Sequence, residues 1–321
     1  MAHIIVTGVA GFIGSHLADR FLANGCRVTG IDSFVRGVRG NLAEALPHPS
    51  FTLIEADISD AASARTAFRA AHDAEPVSAV WHMAANSDIG AGLADPRIDL
   101  RDTFLTTFET LAMIRELNIP DLAFASSSAI YGDHPVPIHE NLGPLFPISN
   151  YGAMKLASEG IVSAALETFL KRAYIFRFPN VVGNRATHGI IYDLLRKLRA
   201  SRAELEVLGD GNQEKPYIHV GELLDGMLFI AEKSRERLNY FNIAGDEAGA
   251  TVRFIAEKVI ARAAPGTPIR YTGGRKGWAG DVPRYSYSTA KLTAFGWKPS
   301  MTSEQAVERA VNEIYAEVCR P

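Results

Sequence analysis

The sequence predicts an α/β protein, a doubly wound parallel sheet followed by a smaller C-terminal lobe. Three observations carry that prediction. Short apolar runs alternate with amphipathic helical stretches through the first half. The runs are nearly continuous in apolar residues, as strands covered on both faces require. A glycine-rich turn joins the first run to the first helix, the junction at which such sheets bind ligands.

Composition fits that class. The chain has 321 residues, 47% of them hydrophobic and 9% aromatic. At roughly 150 residues per domain this is enough for two units and a core that needs no disulfide or metal staple. A net charge of −3 gives no electrostatic reason to expect nucleic acid or an anionic membrane as partner. Cys26 and Cys319 are too few for a disulfide framework or a Cys-rich metal site. No apolar run approaches the roughly 18 residues of a membrane span, and the opening residues lack the basic region of a signal peptide. A soluble cytoplasmic protein without a metal is the expectation.

In chain order, strands are expected at His3–Thr7, 27–31, Phe51–Glu55, Ala79–His82, 122–126 and 174–178, with helices at 14–24, 62–72, 103–117 and 150–170 between them. The rhythm changes after about residue 180. A helix at Ile190–Ala200, a glycine-rich turn at 209–211, a short strand at 240–243 and a terminal helix at 302–318 follow. The first domain is therefore placed at 1–180, with the chain returning to it at about 222–248, and the second at 181–321.

Gly8, Gly11 and Gly14 lie between the first strand and the first helix. Glycine permits a tight turn and close backbone approach to a pyrophosphate, and the helix N-terminus offers free N–H groups and the positive end of its dipole. Asp32 follows the second strand, where a carboxylate accepts from ribose hydroxyls and repels a 2′-phosphate, favouring NAD over NADP. Arg36, in the same loop, argues the other way. Asp57 is open to two readings, a helix cap before Ala61 or a cofactor contact.

Tyr151 and Lys155 stand four apart at the start of a helical pattern, on one face. An ammonium so placed is expected to lower the phenol's pKa toward working pH, making a base that takes a proton from a carbinol as hydride leaves. Ser128, after the fifth strand, is expected to hydrogen-bond the same oxygen, and Ser126 to face the cofactor.

The Gly-x-x-Gly-x-x-Gly spacing resembles the extended short-chain dehydrogenase/reductase family, as do Asp57-Ile58, His82-Met-Ala84-Ala85, the serine run at 126–128 and Tyr151-x-x-x-Lys155. The resemblance implies a Rossmann domain and bound NAD. It places Gly8, Gly11, Phe12, Ile13, Gly14, Asp32 and Arg36 on the dinucleotide, Asp57 and Ile58 at its adenine, and Met83, Ala84, Ala85, Ser126, Tyr151, Lys155 and Phe178 along the rest. Ser128, Tyr151 and Lys155 correspond to the family's catalytic trio. Members that eliminate water carry carboxylates after the serine; here Ala129, Ile130, Tyr131 and Gly132 follow, which suits hydride transfer alone.

Further runs around Asn180, Val207, Lys215 and Asp281 are similar to the family's UDP-glucose (galactose) 4-epimerases, particularly the compact archaeal type. By that likeness Asn180 meets the diphosphate of a UDP-sugar, Val207 and its neighbours cover the uracil, and Asp281 holds the ribose. Lys215 stands in place of an arginine, keeping the charge without the bidentate fork, and Trp278 replaces a second arginine. Tyr285 is expected to wall the hexose pocket, and Thr103 stands where the family carries a supporting amide. Alternatives are a UDP-glucuronate or N-acetylhexosamine 4-epimerase, a reductase that releases its cofactor, and a non-catalytic NAD-binding regulator. Apolar residues on more than one side of the 103–117 and 150–170 helices imply a two-fold homodimer through those helices.

Overall fold

The structure is a computed structural model and describes residues 1–134, 137–245, 248–277 and 282–318. Its framework is a seven-stranded sheet. In chain order its strands are β1 (His3–Thr7), β2 (Arg27–Asp32), β3 (Phe51–Glu55), β4 (Ala79–His82), β5 (Asp121–Ala125) and β6 (Arg172–Arg177), with Leu238–Asn242 added at one edge. From that edge the order is Leu238–Asn242, β6, β5, β4, β1, β2, β3. All pairings from β3 through to β6 are parallel. The strand order reverses beside β1, so the crevice beyond the carboxyl ends of β1 and β4 is the switch point where open sheets take ligands.

Crossovers between these strands run through α1 (Phe12–Ala23), α2 (Ala61–Ala74), α3 (Ile89–Ala94), α4 (Pro96–Asp99), α5 (Thr106–Glu116) and α6 (Asn150–Leu166). β1 is buried along its whole length. Ile5, Val80, Leu122 and Phe124 from the sheet meet Phe68, Ile114 and Val162 from α2, α5 and α6 in one apolar core. The expected helix at 103–117 is divided: Leu100–Leu105 forms a π-helical turn and the α-helix begins at Thr106. π-Turns cluster at functional sites, and this one packs against α6.

The chain divides into two compact units. The first comprises Met1–Gly132, Leu145–Arg177 and Ile230–Phe241, and the second Asp133–Pro144, Phe178–Phe229 and Asn242–Pro321. The returning segment, placed by the sequence at about 222–248, is thus Ile230–Phe241. In the second unit three helices, Ile190–Ala200, Val252–Ala263 and Ser303–Val318, pack on one another and on small paired strands. Leu195, Val259 and Val311 lie at the centre of that core.

Candidate active site

The turn after β1 is built for close approach. Gly8 has φ +66°, a conformation that glycine takes without strain. A Cβ there would lie 2.8 Å from the Ala84 backbone, and one on Gly14 would lie 2.1 Å from the Gly8 carbonyl oxygen. The turn, α1 and the end of β4 therefore meet with no room for side chains. Gly11 caps α1 and offers no side-chain acceptor, so the helix presents its N-terminal donors and dipole to an anion.

Asp32, at the end of β2, is buried. Its Oδ2 accepts from the Ala10 N–H at 2.9 Å and its Oδ1 from the Phe34 N–H at 2.8 Å. Burial raises its pKa and these two bonds pull it back. Each oxygen keeps a lone pair for a ribose hydroxyl. Arg36, which argued for a 2′-phosphate, is turned instead to the Ser87 Oγ at 3.1 Å and the Asp88 carboxylate at 3.2 Å. With that charge matched, the uncapped α1 and the buried Asp32 fit NAD.

Asp57 is not a helix cap. Its Oδ1 accepts from the N–H and hydroxyl of Ser59 in a local turn, and the cap of α2 is Asp60, which accepts from the Ser63 N–H at 2.8 Å. Ile58 is buried in the sheet core, while Met83, Ala84 and Ala85 are half-buried beyond β4.

Tyr151 and Lys155 lie in the first two turns of α6, whose cap is Ser149. A Cβ on Gly152 would lie 2.4 Å from the Ala129 carbonyl oxygen, so the head of α6 seats directly on the tight turn Ser128–Tyr131. Of the three serines it is Ser127, one residue before the Ser128 expected from the sequence, whose hydroxyl acts on the Tyr151 phenol, pulling its pKa down. β5 ends at Ala125 and the chain stays extended through Ser127, at φ −151° and ψ 153°. Consecutive side chains of an extended segment point to opposite sides. Ser127 thus faces Tyr151, Ser128 opens the turn, and Ser126 points the other way. Ser126 does not face a cofactor; it is buried and donates to Glu159 Oε1 at 2.5 Å.

The electrostatics also differ from expectation. Tyr151 is pushed up to about 12, first by burial and then by the Asp99 charge, with the Ser127 hydrogen bond pulling down. Lys155 is drawn down to about 7 by burial, against the opposing pull of Glu159 and Asp99. Its Nζ donates to the Ala125 carbonyl at 2.6 Å and lies 4.8 Å from the Phe124 ring centroid and 5.8 Å from that of Tyr151. Lys155 therefore stands beneath the tyrosine ring, and burial is the largest influence on the phenol.

Two supports escaped the sequence reading. Arg177 grips Glu159 with both arms, at 3.0 and 2.6 Å, and donates to the Tyr131 hydroxyl at 2.9 Å, tying β6, α6 and the tight turn together. Glu159 follows Lys155 by one helical turn, a spacing visible in the sequence, but its partner lies on another strand. His82 is fully buried against Thr7 at 2.8 Å and Thr107 at 3.2 Å. Burial, with the Lys155 charge, holds it down at about 3, so it is neutral. Thr103 accepts from the Asn86 N–H at 3.2 Å.

In the second unit, Asn180 donates to the Pro216 carbonyl at 3.4 Å, and Lys215 pairs with Ala250 in a two-stranded ladder. Val207 does not face a ligand: it is buried in the core of the unit, and its neighbour Leu208 is the exposed apolar side chain. Phe178 is buried. Tyr285 is half-buried, its ring edge-on to Tyr287 at 6.3 Å. Asp281 and Trp278 lie outside the described residues. Among the described residues no group of His, Cys, Asp and Glu could hold a metal, and no helix is long and apolar enough to cross a membrane.

The profile of the NAD-dependent epimerase/dehydratase family matches residues 4–244. The chain belongs to that family. A putative UDP-glucose 4-epimerase of Methanocaldococcus jannaschii is 28% identical over 316 residues, covering 96% of this chain and 97% of that protein. The crystal structure of a UDP-galactose 4-epimerase superposes with a TM-score of 0.85 at 31% identity, covering 98% of this chain and 99% of the other. The Thermus thermophilus UDP-glucose 4-epimerase, in complex with NAD, gives 0.85 at 28% identity, covering 98% and 100%. As a member of the epimerase/dehydratase family the protein is an NAD-dependent nucleotide-sugar epimerase, with the seven-stranded sheet and the glycine turn that a dinucleotide requires.

Proposed function

We propose that the protein interconverts UDP-glucose and UDP-galactose by epimerisation at C4, with Tyr151 as the base, Ser127 as its hydrogen-bonding partner and Lys155 as the cation beneath them. The observation that carries this reading is Tyr151 standing over the buried Lys155, whose Nζ lies 5.8 Å from its ring centroid, beside a turn, Ser128–Tyr131, that holds no carboxylate. Elimination of water needs a further acid and base at that turn; epimerisation needs one. Burial by itself keeps the Tyr151 phenol protonated; with the positive charge of bound NAD added to that of Lys155, the phenol would ionise and take the proton of the C4 hydroxyl as that carbon is oxidised to a ketone. Ser127 holds the same oxygen, and Tyr151 returns the proton when hydride comes back to the opposite face. Bound NAD supplies the hydride acceptor and donor, so no external oxidant is consumed. Gly8, Gly11, Phe12, Ile13, Gly14 and Asp32 hold that cofactor. By the sequence likeness Asn180, Lys215, Asp281 and a neighbour of Val207 would meet the nucleotide of the substrate.

Incubation with a panel of UDP-, GDP-, CDP- and dTDP-sugars tests the reading. Conversion of UDP-glucose to UDP-galactose, with NAD retained through gel filtration, is the expected result. Turnover confined to UDP-glucuronate or N-acetyl sugars, or release of NADH, refutes it. Tyr285 limits the volume swept by the rotating keto sugar, so N-acetyl substrates react poorly and Tyr285→Ser admits them. Equal wild-type turnover of both substrate pairs, or no gain in the variant, removes Tyr285 from that role.

A further inference from the structure

Asp99, the last residue of α4, is wholly shielded from solvent. A buried carboxylate is costly unless it is paired, and this one is half-paired. Its Oδ1 accepts from the Asn86 side-chain amide at 2.8 Å, whereas its Oδ2 has no hydrogen-bond partner among the described residues. Asn86 in turn gives its backbone N–H to Thr103, the residue standing where the family carries an amide. Neither the hydride chemistry nor the cofactor contacts assign Asp99 a task.

Its surroundings lead to the head of α6. The free oxygen is packed against the backbone of Gly92, where a Cβ would come within 1.8 Å of it. The Gly92 carbonyl accepts from the Asn150 side chain at 2.9 Å, and Asn150 immediately precedes Tyr151. Both α4 and the π-helical turn pack on α6. The Asp99 charge acts on both members of the acid–base pair, favouring the Lys155 ammonium and opposing the Tyr151 phenolate. We propose that Asp99 is a positioning residue for Tyr151 and Lys155, holding the Gly92–Asn150 contact at the head of α6 and serving as buried counter-charge to the ammonium. This rests on the acid–base roles given above to Tyr151 and Lys155, and not on which sugar is bound.

Lys155 is faced by Glu159 on its own helix, Asp99 from α4, neutral His82 from β4 and the Ala125 carbonyl from β5. Asp99, whose carboxyl is pushed up by burial against the pull of the Asn86 hydrogen bond, is itself faced by Asn86, Asp102, Asp88, Lys155 and Tyr151. Removing the Asp99 charge takes away one of the two groups that oppose the burial of Lys155, so the ammonium loses its proton at lower pH. Loosened packing acts in the other direction: admitted water returns a buried lysine toward its ordinary, higher value. The sign of the change therefore separates charge from structure.

The test is Asp99→Asn, which keeps an acceptor for Asn86, in the full-length NAD-loaded protein labelled with ¹³C at the lysine ε-carbon, the Lys155 signal being identified with Lys155→Arg. The Lys155 midpoint is expected to fall by about half to one pH unit, with the basic limb of the kcat–pH profile moving by the same amount. At pH 8, kcat is expected to drop about three- to tenfold and KM to stay within twofold, the pattern of a lost interaction that serves the chemical step. Should that variant not fold, Asn86→Ala, which retains the carboxylate but removes the amide that favours its ionised form, is expected to give a smaller fall in the same direction. An unchanged or raised midpoint, or full kcat in Asp99→Asn, overturns the proposal. The titration needs no sugar, so a chain that turned over no UDP-sugar would refute the functional reading while the midpoint alone still decided this one.

Discussion

The Ser127 hydroxyl accepts from the Ala129 N–H at 3.1 Å, which leaves its own proton available to donate. Ser127→Ala is expected to cost about 10²-fold in kcat, as loss of one preorganised hydrogen-bond donor does, and Ser128→Ala to cost less; side-by-side kinetics of the two variants check which serine acts. Tyr151→Phe keeps the ring and removes the proton acceptor. Epimerisation is expected to fall by about 10²–10⁴-fold, with NAD still bound at gel filtration because Asp32 and the glycine turn are untouched. Retention of most activity would remove Tyr151 from the mechanism. At this scale the sequence revealed the Tyr–Lys pair, whose four-residue spacing is local, but not which serine of three joins it. That choice depends on where β5 ends and which way an extended residue points, and three consecutive identical residues carry no mark of either.

Among the elements, β6, α6 and the Ser128–Tyr131 turn are held together by Arg177 and Glu159, with side-chain exposures of 10% and 7%. Breaking such a buried pair leaves a charge unmatched, at a cost of about 3–5 kcal/mol. Arg177→Met is expected to lose that much in denaturant unfolding, whereas Glu159→Gln with Arg177→Met together should recover part of the loss. Gly14→Ala strikes the other end of the site. Its Cβ would meet the Gly8 carbonyl oxygen at 2.1 Å, so α1 must move from β1. A lowered Tm and loss of co-purifying NAD are expected, read by thermal unfolding and by absorbance of the eluted nucleotide. The helices and strands of the first unit were legible because each carries its own periodicity over many residues. The π-helical turn at Leu100–Leu105 was not, since its apolar spacing matches that of the α-helix it interrupts.

For the whole molecule, Phe108 on α5 is 51% exposed and Leu100 just before it 46% exposed. Apolar side chains this large, outside any core, suit an interface with a second copy, and we predict a homodimer through α5 and α6. Sedimentation at micromolar concentration is expected to give a dimer, and Phe108→Glu to shift it toward monomer; a wild-type monomer refutes the prediction. The amino-acid sequence by itself determined the α/β class, the run of strands and helices, the dinucleotide turn with its acid, and the Tyr151–Lys155 pair. Each of these is written in residues close together in the chain, where periodicity and short spacing translate directly into geometry. Only the tertiary structure decided that Ser127 meets Tyr151, that Arg36 answers Asp88, that Glu159 is matched by Arg177, and that Asp99 is buried near Lys155. Those contacts join segments far apart in sequence, and burial, which sets the protonation of Tyr151 and Lys155, arises only when the segments pack.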